Sequence, residues 1–208
     1  MSDANTMKSW FIQAGDGATT LDLREVTVPE PGPGQVLARI RAAGLNRGEF
    51  IAAHGLHSKS GSGKAAGMEA AGEIVRVGPG VTGLKAGERV MGRCGGAFSS
   101  YALMDVREAV PMPANLSWEE AASIPLTFTV VHDMLIAQGQ LKKGEWLLIT
   151  GVSSGVGVAS LQAGKALGAN VIGASGSAAK LEKLKAHGLD IGICTRSGDF
   201  HEKVMQAT

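Results

Sequence analysis

The stretch Thr150-Gly151-Val152-Ser153-Ser154-Gly155-Val156-Gly157 decides how this chain folds. Its three glycines let the backbone turn sharply and leave N–H groups uncovered by side chains. Alone, such a pattern is weak; its surroundings give it weight. Gly144 precedes an apolar run over 146–150, which predicts a strand entering the turn. Small and apolar residues over 156–167 predict a helix, stopped by Gly168. A strand over 170–174, a helix over 177–187 stopped by Gly188, and a strand over 191–194 follow. This β-α-β-α-β order, with continuous apolar strands, predicts a parallel sheet of α/β class. In such a unit, backbone N–H groups at the helix N-terminus meet a diphosphate. Ser154, Gly155, Val156 and Gly157 are therefore candidate cofactor-binding residues. A purely structural βα turn is the alternative.

The end of the second strand selects the cofactor. Sites for NAD place an Asp or Glu there to accept from the ribose 2′-hydroxyl. Here Ala174-Ser175-Gly176-Ser177 holds no acid. The hydroxyls of Ser175 and Ser177 and the ammonium of Lys180 would accept a 2′-phosphate that a carboxylate would repel. NADPH is the expected cofactor. Lys180 also reads as a solvated helix lysine.

Upstream the texture changes. Short β-like runs at 35–41, 73–77, 89–91 and 98–103 are separated by Pro- and Gly-rich turns, and predict a small, irregular β-barrel-like domain. Ser117-Trp118-Glu119-Glu120 reads as a helix N-cap with acids in the first turn, and Pro125 opens a second apolar segment. The expected domains are 1–122 and 123–208. Within the polar stretch 58–64, Gly63-Lys64 does not make a phosphate loop, because Ser58 and Ala65 stand where Gly and Ser or Thr are needed.

Twenty Lys and Arg against nineteen Asp and Glu give a net charge of +1, so charge supplies no reason to invoke nucleic acid or an anionic membrane. No apolar run approaches the ~18 residues of a spanning helix, and no basic-then-apolar leader opens the chain. A cytoplasmic location is expected, with Cys94 and Cys194 as two reduced, buried thiols.

Taken together, these pieces resemble the medium-chain dehydrogenase/reductase superfamily, in particular its zinc-free quinone oxidoreductase (zeta-crystallin-like) branch. The resemblance runs from about Met7 to Thr208. It rests on residues 29–36, AAGLNRGEF at 42–50, GMEAAGEIVRVGPGV at 67–81, GERVMG at 87–92, and the glycine turn followed by QAGKALGANVIG. It implies a GroES-like β-barrel catalytic domain followed by a Rossmann doubly wound parallel sheet. Zinc-dependent relatives carry a Cys where this chain has Asn46 and a His where it has Met68. The segment 92–101 holds only Cys94 in place of a four-cysteine lobe. Neither Met nor Asn replaces a thiolate and an imidazole around zinc, so no metal is expected, and Glu69 reads as a structural carboxylate.

The resemblance also assigns roles. Asn46 falls beside the nicotinamide and its ribose, as a catalytic and cofactor-binding residue; a turn-stabilising Asn is the alternative. Thr129 faces the nicotinamide, or is a buried core threonine. His57 stands where some relatives place a tyrosine, beside the glycine-rich stretch 58–64, and is a candidate to stack on cofactor or substrate or to donate a proton. Without a Lewis acid, the acceptor must already take hydride readily, which points to a quinone or an α,β-unsaturated carbonyl. The intact protein is expected to be a homodimer.

Two rivals differ in class. TGVSSGVG also fits the turn of short-chain dehydrogenases, but that family opens with it and uses a later YxxxK pair. Here the sole tyrosine, Tyr101, precedes the turn and has Asp105 four places on. The second rival is a non-catalytic NADPH-binding or inert fragment. A full Rossmann sheet has two βαβαβ halves, and this chain contains about one, so it is expected to be truncated within that domain.

Overall fold

The computed structural model describes residues 5–14, 19–50, 63–196, 200–206 and 208. The chain divides into two compact units, Met1–Leu126 and Thr127–Thr208.

The first unit is built from two antiparallel sheets. Strands β1 (Thr6–Ala14), β2 (Thr19–Thr27) and β4 (Lys64–Ala65) form one, in the order β2-β1-β4. The other contains β3 (Gln35–Ala43), β5 (Glu69–Val77), β6 (Arg89–Arg93), β7 (Tyr101–Asp105) and β8 (Val110–Pro111), in the order β7-β3-β5-β6-β8. Ser9 bridges to Ser99, whose hydroxyl donates to Ser9 Oγ at 2.6 Å, so β1 is fastened to the second sheet's connections. Register shifts at Leu37/Ala38 and Ile40/Ala42 bend β3 against β5, as bulges do. Val36, Ala38, Ile74, Val90 and Met104 fill the interior with at most 1% exposure. Each large apolar side chain so buried contributes about 1.5–3 kcal/mol.

Helix α1 (Trp118–Ala122) starts as its sequence predicts. The Ser117 hydroxyl accepts from the Glu120 N–H at 3.1 Å, and the Glu120 carboxylate accepts from the Ser117 N–H at 2.9 Å. Helix α2 (Pro125–Val131) opens on Pro125, which has no N–H to leave unpaired, and runs into a π-helical stretch, His132–Gln138.

The second unit continues with β9 (Trp146–Thr150), α3 (Gly155–Ala166), β10 (Asn170–Ser175), α4 (Ala178–Lys185), β11 (Ile191–Cys194) and α5 (His201–Met205). The strands are parallel in the order β11-β10-β9, with β10 central and almost wholly buried. Ile149, Val152, Leu161, Val171, Leu181 and Leu184 form its core, sealing α3 and α4 onto the sheet. This is the parallel β-α-β-α-β unit that the sequence predicts.

Three expectations change. Strands β1 and β2 pair antiparallel along their whole lengths, which sequence patterning does not reveal, because Trp10, Leu21 and Leu23 stay 39–45% exposed among polar neighbours. Strand β5 begins at Glu69, four residues before the expected start. Its Ala70, Ala71 and Gly72 have little intrinsic strand preference but are paired on both sides, by β3 and β6. Cys94 is buried but Cys194 is exposed, correcting the reading of two buried thiols: Cys194 ends the edge strand β11. Among the described residues, no helix is long and apolar enough to cross a membrane.

Candidate cofactor cradle and the Asn46 turn

The glycine turn connects β9 to α3. Gly151 has φ +66°, the left-handed region that a side chain disfavours, and turns the chain just past the strand. The Val152 N–H donates to the Ala174 carbonyl at 3.1 Å, which fastens the turn to the end of β10. The Ser154 hydroxyl caps α3 by accepting from the Gly157 N–H at 3.1 Å. At Gly157 a Cβ would lie 2.5 Å from the Gly151 carbonyl oxygen, so only glycine lets the helix sit this close. At Gly155 a Cβ would meet nothing within 4 Å. The space before the first turn of α3 is therefore clear, and the N–H groups of Gly155 and Val156 head the helix without a preceding turn to bond them. This cradle fits a diphosphate.

The segment after β10 lies in the same unit. Ser175 is 7% exposed, and its hydroxyl lies 3.0 Å from that of Ser153, fastening strand to turn. Ser177 caps α4, accepting from the Lys180 N–H at 3.4 Å, and keeps its hydroxyl proton to donate. The Lys180 side chain is exposed. Sequence reasoning missed Arg196. Parallel pairing sets Ser175 opposite Cys194, which brings Arg196 beside Gly176. A Cβ at Gly176 would lie 3.0 Å from the Arg196 Cγ, and the Arg196 Nε approaches the Gly176 carbonyl at 3.5 Å. Its place follows from the β10–β11 register, which no local sequence signal supplies.

In the first unit, Asn46 precedes a short 3-10 helix, Arg47–Phe50. Its Nδ2 donates to Glu69 Oε1 at 2.8 Å, and its backbone N–H donates to Glu49 Oε2 at 2.8 Å. Both carboxylates are 2% exposed. Glu69 Oε2 accepts from the Leu126 N–H at 2.7 Å. Burial, helped by the Glu69 charge, pushes the Cys94 thiol up to about 12, so it stays protonated. Among the described residues, no group of three or more His, Cys, Asp or Glu is placed to hold a metal ion. Thr129 stands on the exposed side of α2, not in the core. His57 lies outside the described residues.

An antiparallel β unit with an Asn turn held by buried carboxylates is thus followed by a βαβαβ unit with a glycine cradle. Residues 32–114 match the alcohol dehydrogenase GroES-like domain family. The first unit thus carries an alcohol dehydrogenase GroES-like domain, and over nearly its whole length the chain is similar to solved quinone oxidoreductases. Among solved structures it is similar to the Escherichia coli quinone oxidoreductase complexed with NADPH (TM-score 0.84, 30% identity), covering 97% of this chain and 62% of that one. It is also similar to the CurK enoyl reductase (TM-score 0.85, 27% identity), covering 97% and 63%. By sequence it is 36% identical over 200 residues to the spectinabilin polyketide synthase system protein NorB of Streptomyces orinoci, spanning 93% of this chain and 9% of that protein. It is 32% identical over 186 residues to the rat synaptic vesicle membrane protein VAT-1 homolog, spanning 88% of this chain and 46% of that protein. The chain thus spans under two thirds of the length of each of these relatives.

Proposed function

We propose that this chain is the cofactor-binding and catalytic portion of an NADPH-dependent reductase that reduces a quinone or an α,β-unsaturated carbonyl without catalytic zinc. The observation that carries this reading is the acid-free turn after β10, where Ser177 caps α4 at the Lys180 N–H and the Arg196 side chain lies against Gly176. Two cations and a hydroxyl suit a 2′-phosphate, and a charge-assisted contact to it is about twice as strong as a neutral one. Ser154, Gly155, Val156 and Gly157 would hold the diphosphate, with Ser175 bracing the turn through Ser153.

When bound, the nicotinamide supplies the hydride. The chain's own residues do the rest by binding and orienting. Asn46, fixed by two buried carboxylates, offers its amide to the ribose, and Thr129 is proposed to face the nicotinamide ring. His57 is proposed as a proton donor, water being the other source. Asn46 and Met68, standing where zinc-dependent relatives carry a Cys and a His, offer an amide and a thioether, which are poor zinc ligands and favour a metal-free site. Such a site suits acceptors whose added charge spreads into a diolate or enolate. The same reading makes the intact protein a cytoplasmic homodimer.

The test measures binding of both cofactors, then NADPH oxidation with a quinone and with an enone. Tighter NADPH binding and turnover of at least one acceptor support the proposal. Tighter NADH binding, or reduction of simple ketones only after zinc is added, overturns it. The likeness to an enoyl reductase favours the enone, the likeness to quinone oxidoreductases the quinone, and the ratio of rates separates them.

A further inference from the structure

We propose that Glu69 is a positioning residue whose buried carboxylate fixes the amide of Asn46 and ties that turn to the start of α2. The proposal rests on the reductase reading above, in which Asn46 meets the nicotinamide ribose.

Glu69 opens β5 and is 2% exposed. Burying a carboxylate is costly unless its lone pairs are satisfied. Here each oxygen takes one N–H donor: Oε1 from Asn46 Nδ2 at 2.8 Å, Oε2 from the Leu126 backbone at 2.7 Å. The carboxylate's walls are tight. A Cβ at Gly44 would lie 2.3 Å from Oε1 and 2.6 Å from Cδ, so glycine at 44 is what admits the side chain. The Gly44 N–H donates to the Glu69 carbonyl at 3.1 Å, fixing the backbone from the same side.

An ionised carboxylate only accepts. It therefore selects the Nδ2 end of the Asn46 amide and leaves Oδ1, on a half-buried residue, facing away from Glu69. Oδ1 is an acceptor, matched to a ligand hydroxyl such as those of the nicotinamide ribose. The second carboxylate oxygen fixes Leu126, three residues before Thr129 on α2. One side chain thus holds both the Asn46 amide and the Leu126 backbone, without touching the ligand. Neutralising Glu69 as Gln leaves one oxygen and one NH2 group, so one of the two N–H donors faces another donor.

The experiment compares the full chain with Glu69→Gln, Asn46→Ala and the double variant, with Glu69→Asp as a second probe that keeps the charge but shortens the reach. In the cofactor-free protein, hydrogen exchange at the Leu126 amide and the Asn46 side-chain amide resonances are followed by NMR. NADPH affinity is followed by nicotinamide fluorescence. Glu69→Gln is expected to speed Leu126 exchange, shift the Asn46 amide signals and weaken NADPH about tenfold, but less than about twofold when Asn46→Ala is already present. Glu69→Asp should follow the same pattern. Equal losses with and without Asn46→Ala, or unchanged Asn46 and Leu126 signals in both variants, overturn the proposal. Failure of the wild-type chain to bind NADPH overturns the reductase reading alone, because the exchange measurements still judge Glu69.

Discussion

In the proposed NADPH site Arg196 and Lys180 carry the selectivity for a phosphorylated cofactor, and each can be tested singly. Lys180→Ala and Arg196→Ala should each weaken NADPH about tenfold, the worth of one charge-assisted contact, while changing NADH affinity less than about twofold. Paired titrations check this, and equal losses for both cofactors would remove the 2′-phosphate assignment. The two cysteines make a second contrast. Nucleophilic attack needs the thiolate, and Cys94, raised to about 12, is almost wholly protonated at pH 8. Brief alkylation of the folded chain at pH 8 should label the exposed Cys194 and spare Cys94, which reacts only after unfolding. Peptide mass spectrometry reads the outcome. At this scale Ser154, Ser177 and Lys180 could be picked out from the sequence because each lies within a few residues of a glycine turn. Arg196 could not, since its place beside Gly176 depends on a parallel register between two strands.

Helix α3 and its turn depend on a single missing methyl group. Gly157→Ala would drive a Cβ into the Gly151 carbonyl and the Val152 backbone, 2.5–2.7 Å away, with no flexible side chain to yield. A loss of about 1–3 kcal/mol is expected from such overpacking, read as a lower denaturation midpoint. Between β10 and β11 the fastening is electrostatic. Asp190 accepts from Lys165 Nζ and, at 2.7 Å, from the Val171 N–H. Partial burial raises its carboxyl, but the bonds from Lys165 and Val171 together outweigh that and hold it below the usual carboxylate range. A depressed folded value means the ionised form is favoured by folding. The stabilisation is therefore complete above the ordinary value near 4 and fades as pH falls through the lower folded one. Asp190→Asn should cost about 1 kcal/mol at pH 7, discounted for the pair's exposure, and progressively less below pH 4. The elements themselves were well marked where continuous apolar strands alternate with glycine-stopped helices, so β9 and β11 match their predicted spans residue for residue. The antiparallel pair of β1 and β2 was not, because strand pairing rather than burial of one clean face holds it.

Two units of different construction share this chain; the phosphate contacts proposed for the cofactor fall in the second and the proposed Asn46 contact to the ribose in the first. Its sheet has three strands, and Trp146 and Leu148 on the edge strand β9 stay 42% and 39% exposed. Exposed apolar edge strands favour association, so Leu148→Lys should reduce any concentration-dependent light scattering of the chain. The relatives extend well beyond the matched region, which is why acceptor choice cannot be read from these 208 residues while the cradle can. Binding and turnover are thus separable at this scale. A ligand that binds only the native state at a hundredfold above its Kd adds about 2.7 kcal/mol of stability. NADPH should therefore raise the unfolding temperature of this chain whether or not it turns over. The location of the effect is the sharper measurement. Hydrogen exchange should slow around 150–157 and 176–180, where the diphosphate and 2′-phosphate are assigned, and the same peptides should respond less to NADH. Protection confined to the first unit, or equal for the two cofactors, would put the nucleotide elsewhere and leave the glycine turn a purely structural βα connection.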